Sequence, residues 1–326
     1  VLKGRRVFLD FRENPFGLKE IDFERLDTAA ADYLKKAKAD FGTPIERLEL
    51  MNSPAIDLYL NKGVDIRKEM LEIALCAQHN NGGIAVDLWW QTDVKGLFAA
   101  GEVAGTHGVY RPGGSALNAG QVGSLRAARF IAKNRSGSPE KSGFEAAAKN
   151  ILAADQRLLN SLLSNENNVE EQTARARRRM SEKGGAIRSE QKITEALKET
   201  KQQLESFENF VGARENEGLT KAFRLRDTLV SQLVYFSAME HYAKLGGVSR
   251  GSYICCDKDG ILPEGLEEQF RFSTPSAETQ PKITEVLFNE QGVQCEFFER
   301  LPRPLPDGGG FFENVWRDYR KNGNVY

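Results

Sequence analysis

The spacing of apolar positions changes several times along the chain. Arg5 to Phe11, "RRVFLDF", alternates in part and is rich in β-formers, which predicts a strand. From about Asp22 to Asp40, Phe23, Leu26, Ala29, Ala30, Tyr33 and Leu34 fall near one helical face, which predicts a helix. A second, short helix is predicted over Pro54 to Asn61. "LEIALCA" and "GGIAVDLWW" read as two strands joined through "QHNNGG", and "GLFAAGE" as a short buried strand. "SALNAGQVGSLRAARFIAKN" then reads as a helix whose small residues permit close packing against a sheet.

The Ser, Gly and Pro of "NRSGSPEKSG", Asn134 to Gly143, mark the best linker in the chain. Beyond it the pattern predicts four helices: Phe144 to Leu163, Asn168 to Lys183, Ser189 to Val211 and Leu219 to Leu245. Asn168 is read as an N-cap with Glu171 three residues on, and Gly246-Gly247 as a helix stop. Ile193, Leu197, Leu204, Phe207 and Val211 form one stripe; Ala222, Leu225, Leu229, Leu233, Phe236 and Met239 form another. Short connections between such helices make a bundle. The tail changes again: "KITEVLFNEQGVQCEFFERL" predicts two strands around a turn at Glu290 to Gly292, and "FFENVWRDYRKNGNVY" is short and aromatic.

Composition narrows the function classes. A chain of 326 residues, 40% hydrophobic and 28% charged, can bury a real core and allows two or three domains. A formal net charge of −1 gives no global field toward nucleic acid or acidic membranes, so no nucleic-acid partner is expected. No apolar run reaches transmembrane length, and with so few thiols a reducing, cytoplasmic setting is expected. Cys76, Cys255, Cys256 and Cys295 include no C-x-x-C pair, so no metal site is expected. Vicinal Cys255 and Cys256 read as packing thiols at a helix end, and "RARRRM", Arg175 to Met180, as a solvated helix face. Trp89-Trp90 fits an interface or core packing equally. The opening residues read as the middle of a domain, so a fragment or processed chain is expected.

The candidate chemistry lies between Gly96 and Asn134. A glycine-containing turn followed by a helix offers backbone N–H groups to an anion or a polar ring edge. Gly113, Gly114 and Ser115 let the backbone approach a flat ligand. Glu102 directly follows the apolar "LFAAG" and can accept hydrogen bonds from ribose or ribitol hydroxyls. His79, His107 and Arg111 recur nearby: the arginine can hold a carboxylate in a bidentate pair, and a histidine can donate to a second carboxylate or carbonyl.

These residues carry a family resemblance. "HNNGGIAVD", "QTDVKGLFAAGE" and "HGVYRPGGSAL" resemble the flavoprotein subunits of succinate dehydrogenase and fumarate reductase, and the related L-aspartate oxidase. That family reads H-x-x-x-G-G-I-x-x-D, then T-x-x-x-G-L-Y-A-A-G-E, then H-G-A-N-R-L-G-G-N-S-L. The match spans about Cys76 to Lys133; "RVFLDFR" and "GVDIRKE" upstream and "GGAIRSEQKITEAL" and "VSRGSYICCD" downstream extend it. The chain departs from the pattern by one residue between His79 and Gly82, and by Tyr110 and Pro112 beside Arg111.

The resemblance implies an α/β plus α fold. Its parts would be a partial cap domain at 1–75, the returning half of an FAD-binding domain at 76–135, a helical bundle at 143–248 and a small α+β tail at 249–326. It implies FAD as cofactor, bound by Gly101, Glu102, Gly113, Gly114, Ser115, Ala116 and Leu117. Arg111 would hold one carboxylate of a substrate and His79 its other end, with His107 beside them. It further implies hydride transfer with the flavin, a phosphate-binding half of the site upstream of Val1 and, as partner, a separate electron-transfer protein. The alternatives are a non-catalytic fragment or helical interaction module, and a related flavoprotein with a non-dicarboxylate substrate.

Overall fold

The computed structural model describes residues 4–74, 82–107, 115–134, 140–247, 249, 254–273, 282–289, 293–301 and 311–322. The chain divides into two compact units, Val1–Cys76 and Ala77–Tyr326.

In the first unit, strand β1 (Val7–Leu9) pairs antiparallel with β2 (Leu71–Ile73), Val7 opposite Ile73. Arg6 clamps Glu72 across this ladder with two hydrogen bonds of 2.9 and 2.7 Å. Helix α1 (Thr28–Lys36) is shorter than its periodicity predicts because Asp27 caps it, its carboxylate accepting from Ala29 N. Helix α2 (Pro44–Asn61) is longer than predicted. Glu46 accepts from the amide and hydroxyl of Thr43 and fixes its start, and Pro44 suits the first turn. The helix continues through Pro54 by kinking at Asn52, where φ is −160° and ψ 66°. Ala39, Ile56 and Ile66 are buried, and buried Asn14 ties the loops together by donating to Lys19 O and Gly42 O while accepting from Arg47.

In the second unit, residues 82–107 are largely irregular chain. The strands predicted at "GGIAVDLWW" and "GLFAAGE" do not form; only an isolated bridge, Gln91 to Phe98, links them. The Asp87 carboxylate is the reason: it accepts from Trp89 N and Gln91 N and curls the chain before a strand can extend. Helix α3 (Ser115–Asn134) has the predicted bounds.

Helices α4 (Lys141–Ser164), α5 (Val169–Lys183), α6 (Glu190–Glu205), α7 (Phe207–Phe210) and α8 (Glu215–Lys244) build the bundle. One buried cluster joins Leu158, Leu162, Ala176, Phe207, Leu225 and Leu229; a second joins Ile193, Ala196 and Phe236. The single helix predicted from Ser189 to Val211 is broken at Ser206, whose hydroxyl donates to Gln202 O. Asn168 makes no side-chain cap on α5. Its amide instead donates to Phe210 O and accepts from Gly212 N, stapling the α4–α5 turn to the loop after α7.

Arg179 corrects the reading of "RARRRM" as a solvated face. It is 3% exposed, and its guanidinium donates to Thr200, Gln203, Gln232 and Glu199. Gln203 and Gln232 pass their amides on to Gln172 and to Ala176 O. Burial pulls the guanidinium below its ordinary pKa while Glu199 opposes that pull.

In the tail, β3 (Ile187–Arg188) pairs in parallel with β4 (Ile254–Ile261). Cys255 and Cys256 therefore lie in a strand, not at a helix end, and burial pushes both thiols up. The predicted hairpin forms from β5 (Ile283–Asn289) and β6 (Gln294–Arg300), Val286 opposite Phe297. It docks on α8 through His241, whose ring stacks on Phe297 at 4.1 Å while Nε2 meets Glu299 at 3.2 Å. Helix α9 (Phe311–Asn322) follows. Among the described residues no helix is long and apolar enough to cross a membrane, and no group of three His, Cys, Asp or Glu could hold a metal ion.

Candidate functional site

Two glycines bring distant segments together. Ile84 N donates to Val103 O at 2.8 Å, so the chain after "NNGG" runs along the turn after Glu102. A Cβ on Gly83 would lie 2.3 Å from Gly105 N, so the two backbones touch where no side chain fits. This contact sets Gly83 and Ile84 beside the "GEVAGTH" segment.

Gly101 begins a 3-10 turn over Glu102–Ala104, and Ala104 N donates to Gly101 O at 3.1 Å. Its φ of 84° and ψ of −152° belong to a region essentially reserved for glycine. Ala99 and Ala104 are buried on either side, so the turn is anchored while the Glu102 side faces outward and is exposed. A Cβ built on Gly120 would stand 3.7 Å from the Gly101 Cα, so α3 rests directly on the turn.

Gly101 and the turn bearing Glu102 therefore pack against α3 at Gly120. The first turn of α3 holds Ser115, Ala116 and Leu117 and carries no acidic residue, so the positive end of its dipole meets no carboxylate from its own first turn. Ser115 and Ala116 are half-buried, and Leu117 is 76% exposed. His107 is half-buried two residues beyond Gly105. His79, Arg111, Gly113 and Gly114 lie outside the described residues.

Sequence patterns alone did not point to the flank that holds α3. Trp89 stacks on Phe130 at 5.8 Å, and the Arg126 guanidinium sits 4.4 Å from the Trp89 ring and 5.8 Å from Trp90. Arg126 also donates to Leu88 O. Trp90 packs on Gly123, where a Cβ would lie 2.5 Å from the indole Nε1. The signal was present in the paired tryptophans and in the small residues Gly120, Gly123 and Ala127, which recur at helical spacing on one side of α3.

Residues 4–117 match the FAD binding domain family. A fumarate reductase (CoM/CoB) chain from Methanothermobacter marburgensis is 48% identical over 90 residues, covering 27% of this chain and 16% of that protein. L-aspartate oxidase from Pseudomonas aeruginosa is 26% identical over 235 residues, covering 71% of this chain and 38% of that protein. Among solved structures, E. coli quinol fumarate reductase FrdA superposes with a TM-score of 0.58 at 20% identity, covering 94% of this chain and 56% of that one. Mycobacterium smegmatis Sdh1 gives a TM-score of 0.57 at 21% identity, covering 97% and 54%. The chain spans less than half the length of these curated relatives and about half that of these solved chains. Residues 4–117 thus match the FAD binding domain family, and the chain is similar to fumarate reductase and L-aspartate oxidase flavoproteins.

Proposed function

We propose that this chain contributes one side of an FAD site in an oxidoreductase acting on a carboxylate-bearing substrate. The observation that carries the reading is the seating of α3 on Gly101, which sets the turn bearing Glu102 against a helix whose first turn is acid-free. That set fits FAD. A bare backbone at Gly101 admits a flat ring or ribitol chain, Glu102 can accept from ribitol hydroxyls, and the α3 N–H groups suit the electron-rich pyrimidine edge. Gly113, Gly114, Ser115, Ala116 and Leu117 would line that edge.

Bound FAD would supply the redox chemistry, hydride exchange with the substrate. The chain's own residues bind and orient. Arg111 would hold one carboxylate as a bidentate pair, His79 the other end, and His107 would support them from the turn after Gly105. Tyr110 and Pro112 flank the arginine and would shape the choice of carboxylate. The phosphate-binding half of the site would come from sequence upstream of Val1, and a separate electron-transfer protein would exchange electrons with the flavin.

The test is the visible spectrum of the full-length protein, followed by reduction of fumarate against monocarboxylic enoates. Flavin bands and a strong preference for the dicarboxylate, lost in Arg111→Ala, are expected. A colourless protein ends the FAD reading; equal rates on both substrate classes, or an unaffected Arg111→Ala, end the carboxylate clamp.

A further inference from the structure

Trp90 occupies a backbone conformation that bulky residues avoid. Its φ is 62°, in the left-handed region. Its indole Nε1 is buried and has no hydrogen-bond partner among the described residues. A strained backbone and an unpaired buried donor at one residue persist only where the surroundings hold both in place.

The residues around Trp90 do hold both. Asp87 fixes the loop through Trp89 N and Gln91 N, and Trp90 itself donates to Asp87 O and accepts from Ala99 N. The indole fills the notch that Gly123 leaves on α3, and Arg126 closes over it from the next turn. The same side of α3 rests on Gly101 through Gly120. Helix α3 is thus held at two points, one beside Glu102 and one at the wedge. A rigid helix held at two points has its first turn fixed as well.

We propose that Trp90 is a positioning residue of the flavin site: its indole, wedged against Gly123, fixes the first turn of α3 relative to Gly101 and Glu102. The proposal rests on the FAD reading above. It assigns the cost of the strained loop to pre-organisation of the flavin-facing helix start.

The test uses the full-length protein and three variants. Trp90→Gly restores left-handed freedom and empties the notch. Trp90→Phe keeps an aromatic wedge and removes the unpaired N–H. Gly123→Ala drives the wedge out, although Ala is the better helix former. FAD affinity is read by fluorescence quenching, and the flavin midpoint potential and thermal melt are read beside it. Trp90→Gly and Gly123→Ala should raise the FAD Kd about tenfold, equivalent to about 1.4 kcal/mol, and shift the potential. Trp90→Phe should match wild type in both. The proposal fails if Trp90→Gly or Gly123→Ala binds FAD at the wild-type affinity and potential, or if affinity follows the melting temperature alone. It also fails if Trp90→Phe behaves like Trp90→Gly. A wild-type protein that binds no FAD overturns the FAD reading itself, an outcome distinct from all of these.

Discussion

At the scale of single residues, backbone geometry decides more than side-chain identity does. A Cβ built on Gly101 would stand 4.0 Å from the Gly120 Cα, ordinary contact with no clash. The obstacle is the dihedral pair alone. Gly101→Ala is expected to cost about 1–3 kcal/mol in urea unfolding and to weaken flavin binding as the turn relaxes. Glu199 illustrates electrostatics. Burial would raise its carboxyl, but Lys183 at 2.7 Å and then Arg179 outweigh burial and hold it below the ordinary value. A depressed folded pKa contributes stability above the unfolded value, about 4.3, and loses it as pH falls through the folded pKa. Urea unfolding of wild type and Glu199→Gln should therefore differ at neutral pH. The gap should narrow as pH drops below about 4.3. A gap independent of pH would deny Glu199 this role. The residues named from sequence divide along physical lines. The packing of Gly101 on Gly120 sets the turn bearing Glu102 against α3, the helix that Ser115, Ala116 and Leu117 begin, and local glycine spacing points to that contact. The fit between Trp90 and Gly123 joins residues far apart in sequence, and no local pattern encodes that distance.

At the scale of elements, helices were legible where one apolar stripe met a clear stop. Helix α3 starts just after Gly113-Gly114 in the sequence and ends just before "RSGSP", so its bounds could be read directly. The Ser189–Val211 stretch has a continuous stripe, yet α6 ends at Glu205 and the short α7 takes over from Phe207, a break that the stripe does not signal. Strand β4 was missed because "ICCDKDGI" mixes charge into a short run with no clean alternation. The buried guanidinium of Arg179 was hidden among its exposed neighbours, since a run of arginines gives no sign of which one turns inward. Arg179→Met should cost about 1–3 kcal/mol in urea unfolding by stranding Thr200, Gln203 and Gln232. Replacing Arg179, Gln203 and Gln232 together with apolar residues should cost less than the sum of the single changes, because the stranded partners leave as well. An additive result would show that the three do not act as a network.

At the scale of the molecule, the large buried side chains of the second unit concentrate in the helical bundle, Phe207, Phe236, Leu162, Ile193, Leu225 and Leu229 among them. Native-state hydrogen exchange should accordingly find the slowest amides in α5, α6 and α8, with β5 and β6 opening at a lower free energy. Equal protection in hairpin and bundle would show that the tail is not a separately opening part. The tail reaches the bundle by the His241 contact and by β3, a strand of two residues between α5 and α6. That second link has a consequence for synthesis. The connection bearing Ile187 and Arg188 leaves the ribosome with its helices, but its parallel partners, Ile254 and Cys255, emerge only after all of α8. A bundle that closed during synthesis would close around a backbone edge still waiting for its mate, and a chain stalled just past Lys244 would display that edge to any other nascent strand nearby.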